Sequence, residues 1–133
     1  MIYVDTSALV KLMMKEAESD ALRAWLAARP ETDLVTSEIS RVEISRTLQR
    51  NGVAHDRVPY FVGRALRDLY VLKIEDRVLR RAAGFPIAAL GTLDAIHLAT
   101  AESLRNEVEE IVTYDRDLSD AAHGVGIATN APR

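Results

Sequence analysis

Cysteine is absent from the 133-residue chain, and aromatic residues make up only 5% of it. The first absence excludes a disulfide scaffold, a zinc ribbon and thiol catalysis together. The second leaves few rings for a platform on which single-stranded bases stack. Neither sign of charge dominates: 17 Lys and Arg stand against 20 Asp and Glu, a net −3, so no basic patch announces a nucleic-acid partner. No long hydrophobic run exists either. The longest weakly polar stretch, residues 82–91, is too short to span a bilayer and contains Pro86. The opening Met1-Ile2-Tyr3-Val4-Asp5 lacks the basic and then apolar segments of a secretory signal. These absences lead to the expectation of a cytoplasmic domain without membrane contact.

What is present suits one compact unit. Apolar residues make up 48% of the chain, and no repeat, low-complexity tract or Pro/Ser-rich linker divides it, so a single domain is expected over residues 1–133. Fourteen of the 17 basic residues are arginine. Guanidinium groups bond phosphate bidentately, although the codon usage of a GC-rich genome produces the same bias.

Short apolar runs alternate with longer helical patterns. The runs at 2–4, 34–35, 70–72, 111–113 and, more weakly, 125–128 are too short for helices and rich in Val, Ile and Tyr. Between them, helical patterns occupy 7–15, 19–28, 37–50, 58–69, 76–83, 93–104 and 116–122. Pro30 stops the second, and Asn51 or Gly52 supplies a left-handed cap after the third. Strands alternating with helices require crossover connections, which predicts a three-layer α/β/α sandwich around a central, mostly parallel sheet. Ligands of such sheets bind beyond the carboxyl ends of the strands.

Two acids stand at such ends: Asp5 follows the first run and Asp115 the fourth. Asp94 opens an otherwise apolar helical pattern, and Glu43 lies among the apolar residues of another. Each has a structural explanation. Asp5 and Asp115 can cap the helices that follow, Asp94 can complement a helix dipole after a Thr92 cap, and Ser40-x-x-Glu43 reads as a capping box. Together they suggest more, because four converging carboxylates repel one another unless a cation compensates them. All-oxygen ligands select hard metals such as Mg²⁺ or Mn²⁺. Without these four acids the chain would carry +1, so they account for its whole acidic excess.

The segments Tyr3-Val4-Asp5-Thr6-Ser7-Ala8-Leu9, residues 37–43, residues 93–101 and Val112-Thr113-Tyr114-Asp115-Arg116-Asp117-Leu118 resemble, in that order, the motifs of PIN-domain ribonucleases. The resemblance is closest to VapC-type toxins of bacterial toxin–antitoxin pairs and covers essentially the whole chain. It implies a Mg²⁺- or Mn²⁺-dependent endoribonuclease with Asp5, Glu43, Asp94 and Asp115 as catalytic, metal-binding acids. It also implies a homodimer, an RNA substrate and inhibition by a VapB-type antitoxin in a hetero-oligomer. Ser7 takes the place of the family's small hydroxyl residue beside the first acid, and Asp117 is a candidate supporting acid or only a helix first-turn residue. Under this resemblance Asp5 and Asp94 hold the metal, Asp115 completes its shell, and Glu43 orients or deprotonates the attacking water.

Other constellations are weaker. His55, His97 and His123 have no metal spacing and no nucleophile motif beside them, and His97 reads as a packing residue. Arg41, Arg46 and Arg50, with Arg64 and Arg67, form either solvated faces or a phosphate-contacting rim. The remaining alternatives are a phosphatase with a strand-end nucleophilic Asp, a receiver-like regulatory module and a catalytically idle PIN-like interaction module. Ser7 stands where the phosphatase chemistry wants a second acid.

Overall fold

The architecture follows from strands buried on both faces. In the computed structural model, which describes residues 1–133, β1 (Ile2–Val4) leads into α1 (Thr6–Met13) and α2 (Ser19–Ala27). Next come β2 (Leu34–Ser37), α3 (Ile39–Arg50), a single 3₁₀ turn at His55–Arg57 and α4 (Val58–Leu66). Then follow β3 (Tyr70–Leu72), α5 (Asp76–Gly84), α6 (Thr92–Ser103), β4 (Glu110–Val112), α7 (Arg116–Gly124) and β5 (Ala128–Asn130). All four strand pairings are parallel, in the order β3-β2-β1-β4-β5. No helix is long and apolar enough to cross a membrane.

Alternation along the strands divides the core in two. Ile2, Val4 and Val112 face a cluster with Leu9 of α1, Leu22 of α2, Ile44 and Leu48 of α3 and Val62 of α4. Tyr3, Val35 and Ile111 face the opposite way, against Leu98 of α6 and Leu118 and Ala122 of α7. Helices therefore cover both faces, as the sequence predicts. The face of α2 and most of α4 are absorbed by this core, as Leu22, Trp25, Leu26, Val58, Val62 and Leu66 all pack into it.

Winding starts at β1 and proceeds to β2 and β3, then reverses to β4 and β5 on the other side. The reversal leaves a crevice outside the carboxyl ends of β1 and β4, the usual position of a ligand site in an open parallel sheet.

Two boundaries are set by local chemistry, the first choosing between the two expected caps and the second differing from expectation. After α3, Asn51 keeps a negative φ of −92° while Gly52 takes the left-handed conformation at +81°, so glycine supplies the cap. The last strand covers Ala128–Asn130 and shares only Ala128 with the expected run at 125–128. Val125 ends α7, Gly126 turns at φ +80°, and the Ile127 N–H returns to the Ala122 carbonyl. The apolar Val125 and Ile127 thus fold back onto the helix they terminate, which is a helix-closing contact and not a strand.

Candidate active site

Asp5 is placed by strand and helix at once. Its backbone N–H bonds the Val112 carbonyl at the end of the sheet, and its carboxylate caps α1 by accepting the Ser7 N–H at 3.3 Å. The same oxygen, Oδ2, accepts the Ser7 hydroxyl at 2.6 Å and the Thr113 hydroxyl at 2.8 Å. Only 3% of Asp5 is exposed. Ser7 Oγ in turn accepts the Tyr114 N–H, and Thr113 Oγ1 accepts the Asp115 N–H. Two hydroxyls therefore stitch the end of β1 to the end of β4, and Ser7 bonds the Asp5 carboxylate directly.

Asp115 caps α7, accepting the Leu118 N–H at Oδ1. Both strand-end acids are thus helix caps and also line one cavity of about 530 Å³, so capping does not withdraw either from it. Asp94, in the first turn of α6, is half-buried, lines the same cavity and accepts no hydrogen bond. Burial, then the charges of Asp115 and Asp5, push its carboxyl up to about 6, with Glu43 adding to the effect and His97 opposing it. Gly91, not Thr92, occupies the N-cap of α6.

Glu43 completes the set through a different geometry from the expected capping box. Helix α3 begins at Ile39, so Ser40 lies inside it, buried on the face it shares with Ile44 and Leu48. Ser40 Oγ bonds Thr6 and Thr36, not the backbone of its own helix. Glu43 points into the cavity, with its Oε1 2.8 Å from Thr6 Oγ1 and 2.6 Å from His97 Nε2. One and two turns on, Arg46, Thr47 and Arg50 line the same wall. Neither Arg46 nor Arg50 pairs with an acid, whereas Lys11 at the mouth is held by both Glu16 and Glu18 at 2.7 Å.

The family model of the PIN domain matches residues 2–124. The chain is a PIN domain. Over 98% of its length it is 43% identical to Ribonuclease VapC46 of Mycobacterium tuberculosis, covering 97% of that relative. Its fold is similar to the crystal structure of Mycobacterium tuberculosis VapC20, a Sarcin-Ricin loop cleaving toxin, with a TM-score of 0.77 at 20% identity over 99% of this chain and 100% of that one. A toxin–antitoxin complex from Klebsiella pneumoniae is similar at a TM-score of 0.70 and 22% identity, over 100% of this chain and 98% of that one.

Within this PIN domain the structure sorts the remaining candidates. Asp117 is exposed in the first turn of α7, makes no ion pair and does not line the cavity. Arg41 is exposed outside the cavity, and Arg64 lines a separate apolar groove between α1 and α4. The segment before α6 contributes core contacts through Ile87 and Leu90, and Leu93 reaches the cavity. His97 is buried and fully bonded, as a packing residue would be, yet its partners are the site's own acids: Glu43 at 2.6 Å and Asp5 Oδ1 at 3.5 Å. Burial alone would lower its pKa, but the Glu43 hydrogen bond and the charges of Asp5, Glu43 and Asp94 outweigh this and raise it. Thr6, Thr113 and His97 lie within the segments that carry the family resemblance, but nothing in the sequence assigns Thr6 or Thr113 a role or takes His97 beyond packing.

No three His, Cys, Asp or Glu side chains already stand close enough to hold an ion. The chemistry of the donors nevertheless fits a hard divalent cation. The cavity's carboxylates supply oxygen only, Asp94 has both oxygens unpartnered, and Asp115 commits a single oxygen to its cap.

Proposed function

We propose that this PIN domain is a Mg²⁺- or Mn²⁺-dependent endoribonuclease and the toxin of a VapBC-type pair. The observation that carries the proposal is the convergence of Asp5, Glu43, Asp94 and Asp115 on one cavity at the sheet's reversal point, beneath two unpaired arginines. Asp5, Asp94 and Asp115 would hold the cation, with Asp5 fixed in place by Ser7 and Thr113. A bound cation of this kind polarises a phosphodiester oxygen and acidifies water.

The chain's own groups do the rest. Arg46 and Arg50 attract and orient the RNA backbone, because unpaired guanidiniums at a cavity mouth bond phosphate bidentately. Glu43 accepts the proton of the water that attacks phosphorus. Asp94 rests partly protonated near neutral pH and is the acid most relieved by positive charge entering the cavity.

The VapC relatives, and the likeness in fold to the Klebsiella toxin–antitoxin complex, support a VapB-type antitoxin as partner. Induced expression in a bacterial host tests the biological role. The expected result is growth arrest with discrete RNA fragments, relieved by co-expression of a cognate VapB-type antitoxin. Normal growth with intact RNA, at a verified level of folded protein, would overturn it.

A further inference from the structure

Glu43 has two carboxylate oxygens in very different surroundings. Oε1 accepts from Thr6 at 2.8 Å and from His97 at 2.6 Å, while Oε2 has no partner in the protein. A carboxylate has no proton to give, so it fixes the direction of every bond that leads to it. Thr6 Oγ1 must donate its only proton to Glu43, and therefore accepts from Ser40 Oγ at 3.0 Å. Ser40 has then used its proton, and accepts from Thr36 Oγ1 at 2.9 Å. On the other side, His97 must carry a proton on Nε2, which leaves Nδ1 facing the Tyr3 hydroxyl at 2.7 Å.

The directed chain Thr36 to Ser40 to Thr6 and the contact pair Tyr3–His97 thus end on the same oxygen. Their members come from β1, β2, α1, α3 and α6, and all five are buried, Thr36, Ser40, His97 and Tyr3 at 0% exposure. An apolar helix packing against a sheet has no need of five interlocked polar side chains, and bonds inside a buried network are strong only when every member is satisfied. None is left unsatisfied here.

We infer that Thr6 and His97 are positioning residues that clamp Oε1 of Glu43 and so present Oε2 alone to the reacting water. The inference rests on the nuclease reading of Glu43, and adds which oxygen acts and what holds it. Without the clamp the side chain regains its rotamers, and a misplaced base loses rate while the phosphate contacts of Arg46 and Arg50 persist.

Single-turnover RNA cleavage by the full chain in saturating Mn²⁺ tests it with a near-isosteric pair. Thr6→Val should slow the chemical step tenfold or more with RNA binding unchanged, and Thr6→Ser should bring it back to within about threefold of the parent. In a Glu43→Gln background, Thr6→Val and His97→Leu should each change the rate by less than about twofold, because the group they position is already disabled. Equal losses in both backgrounds would make the residues merely structural and overturn the inference.

A second readout is independent of activity. In nitrogen-15 spectra the His97 ring should be protonated at Nε2, with a resonance that moves on Glu43→Gln. An unprotonated Nε2, or a ring indifferent to Glu43, overturns the clamp even in an active nuclease. If the parent cleaves no RNA, the nuclease reading falls and these spectra still decide the clamp.

Discussion

The hydroxyl of Thr113 sits between two acids: it donates to Asp5 Oδ2 at 2.8 Å and accepts the backbone N–H of Asp115 at 3.0 Å. One buried side chain thereby sets the distance between the ends of β1 and β4, the two strands flanking the reversal point of the sheet. Thr113→Val keeps the shape and removes both bonds. Loss of a hydrogen bond to a buried carboxylate should cost about 1–3 kcal/mol, measured by urea denaturation, and should weaken Mn²⁺ binding by calorimetry. Thr113→Ser should retain most of both properties. Equal stability and metal affinity in the Val variant would remove the role assigned to this hydroxyl.

Asp94 makes stability depend on pH in a direction opposite to that of an ordinary salt-bridged aspartate. Burial and the neighbouring acids push its carboxyl up to about 6 in the folded chain, against 3.8 for a free aspartate side chain. The folded state therefore holds the proton more tightly, so this contribution favours folding fully below about pH 4 and is lost as pH rises through about 6. Thermal unfolding of the metal-free protein should show Asp94→Asn gaining most over the parent at pH 7–8 and least at pH 4–5. Mn²⁺ should raise the parent's melting temperature more at pH 8 than at pH 5. An Asp94→Asn difference that does not vary with pH would contradict the crowding of acids described above.

Arg46 and Arg50 lie on the exposed side of α3 and pair with no acid. Replacing either with Ala should leave stability within about 0.5 kcal/mol of the parent. RNA affinity should fall, and the dependence of binding on salt concentration should become shallower as each phosphate contact is lost. Arg41→Ala, outside the cavity, should leave affinity and salt dependence nearly unchanged. Equal effects at Arg41 and Arg46 would indicate a general charge effect without a phosphate-binding wall.

Much of this was legible in the sequence because its signals are local. Asp5 and Asp115 directly follow short apolar runs, and the parallel-sheet rule converts that adjacency into a place in space. Ser7 stands two residues after Asp5, within reach of its carboxylate. The clamp on Glu43 was not legible. Its bonds join residues 37, 54 and 94 positions apart, beyond any periodicity. Ser40-x-x-Glu43 misleads for a related reason. The same four residues make a capping box at a helix start and a buried bracket one residue inside it, and the decision falls to Ile39 beginning the helix. The last strand was misplaced because Val125 and Ile127 are apolar for closing α7, and composition alone does not separate that role from a strand's.

The central claim is that Asp5, Asp94 and Asp115 hold a divalent cation for RNA cleavage with Glu43 as the base, and one paired measurement tests it most directly. Single-turnover cleavage of RNA is followed for the parent and for Asp94→Asn, each in Mn²⁺ and in EDTA, with folding checked by thermal unfolding. The account predicts cleavage by the parent in Mn²⁺ only. It predicts a loss of at least about 10²-fold in Asp94→Asn, although that variant is as stable as the parent or more so. Full cleavage in EDTA, or parent-like cleavage by Asp94→Asn, would contradict it.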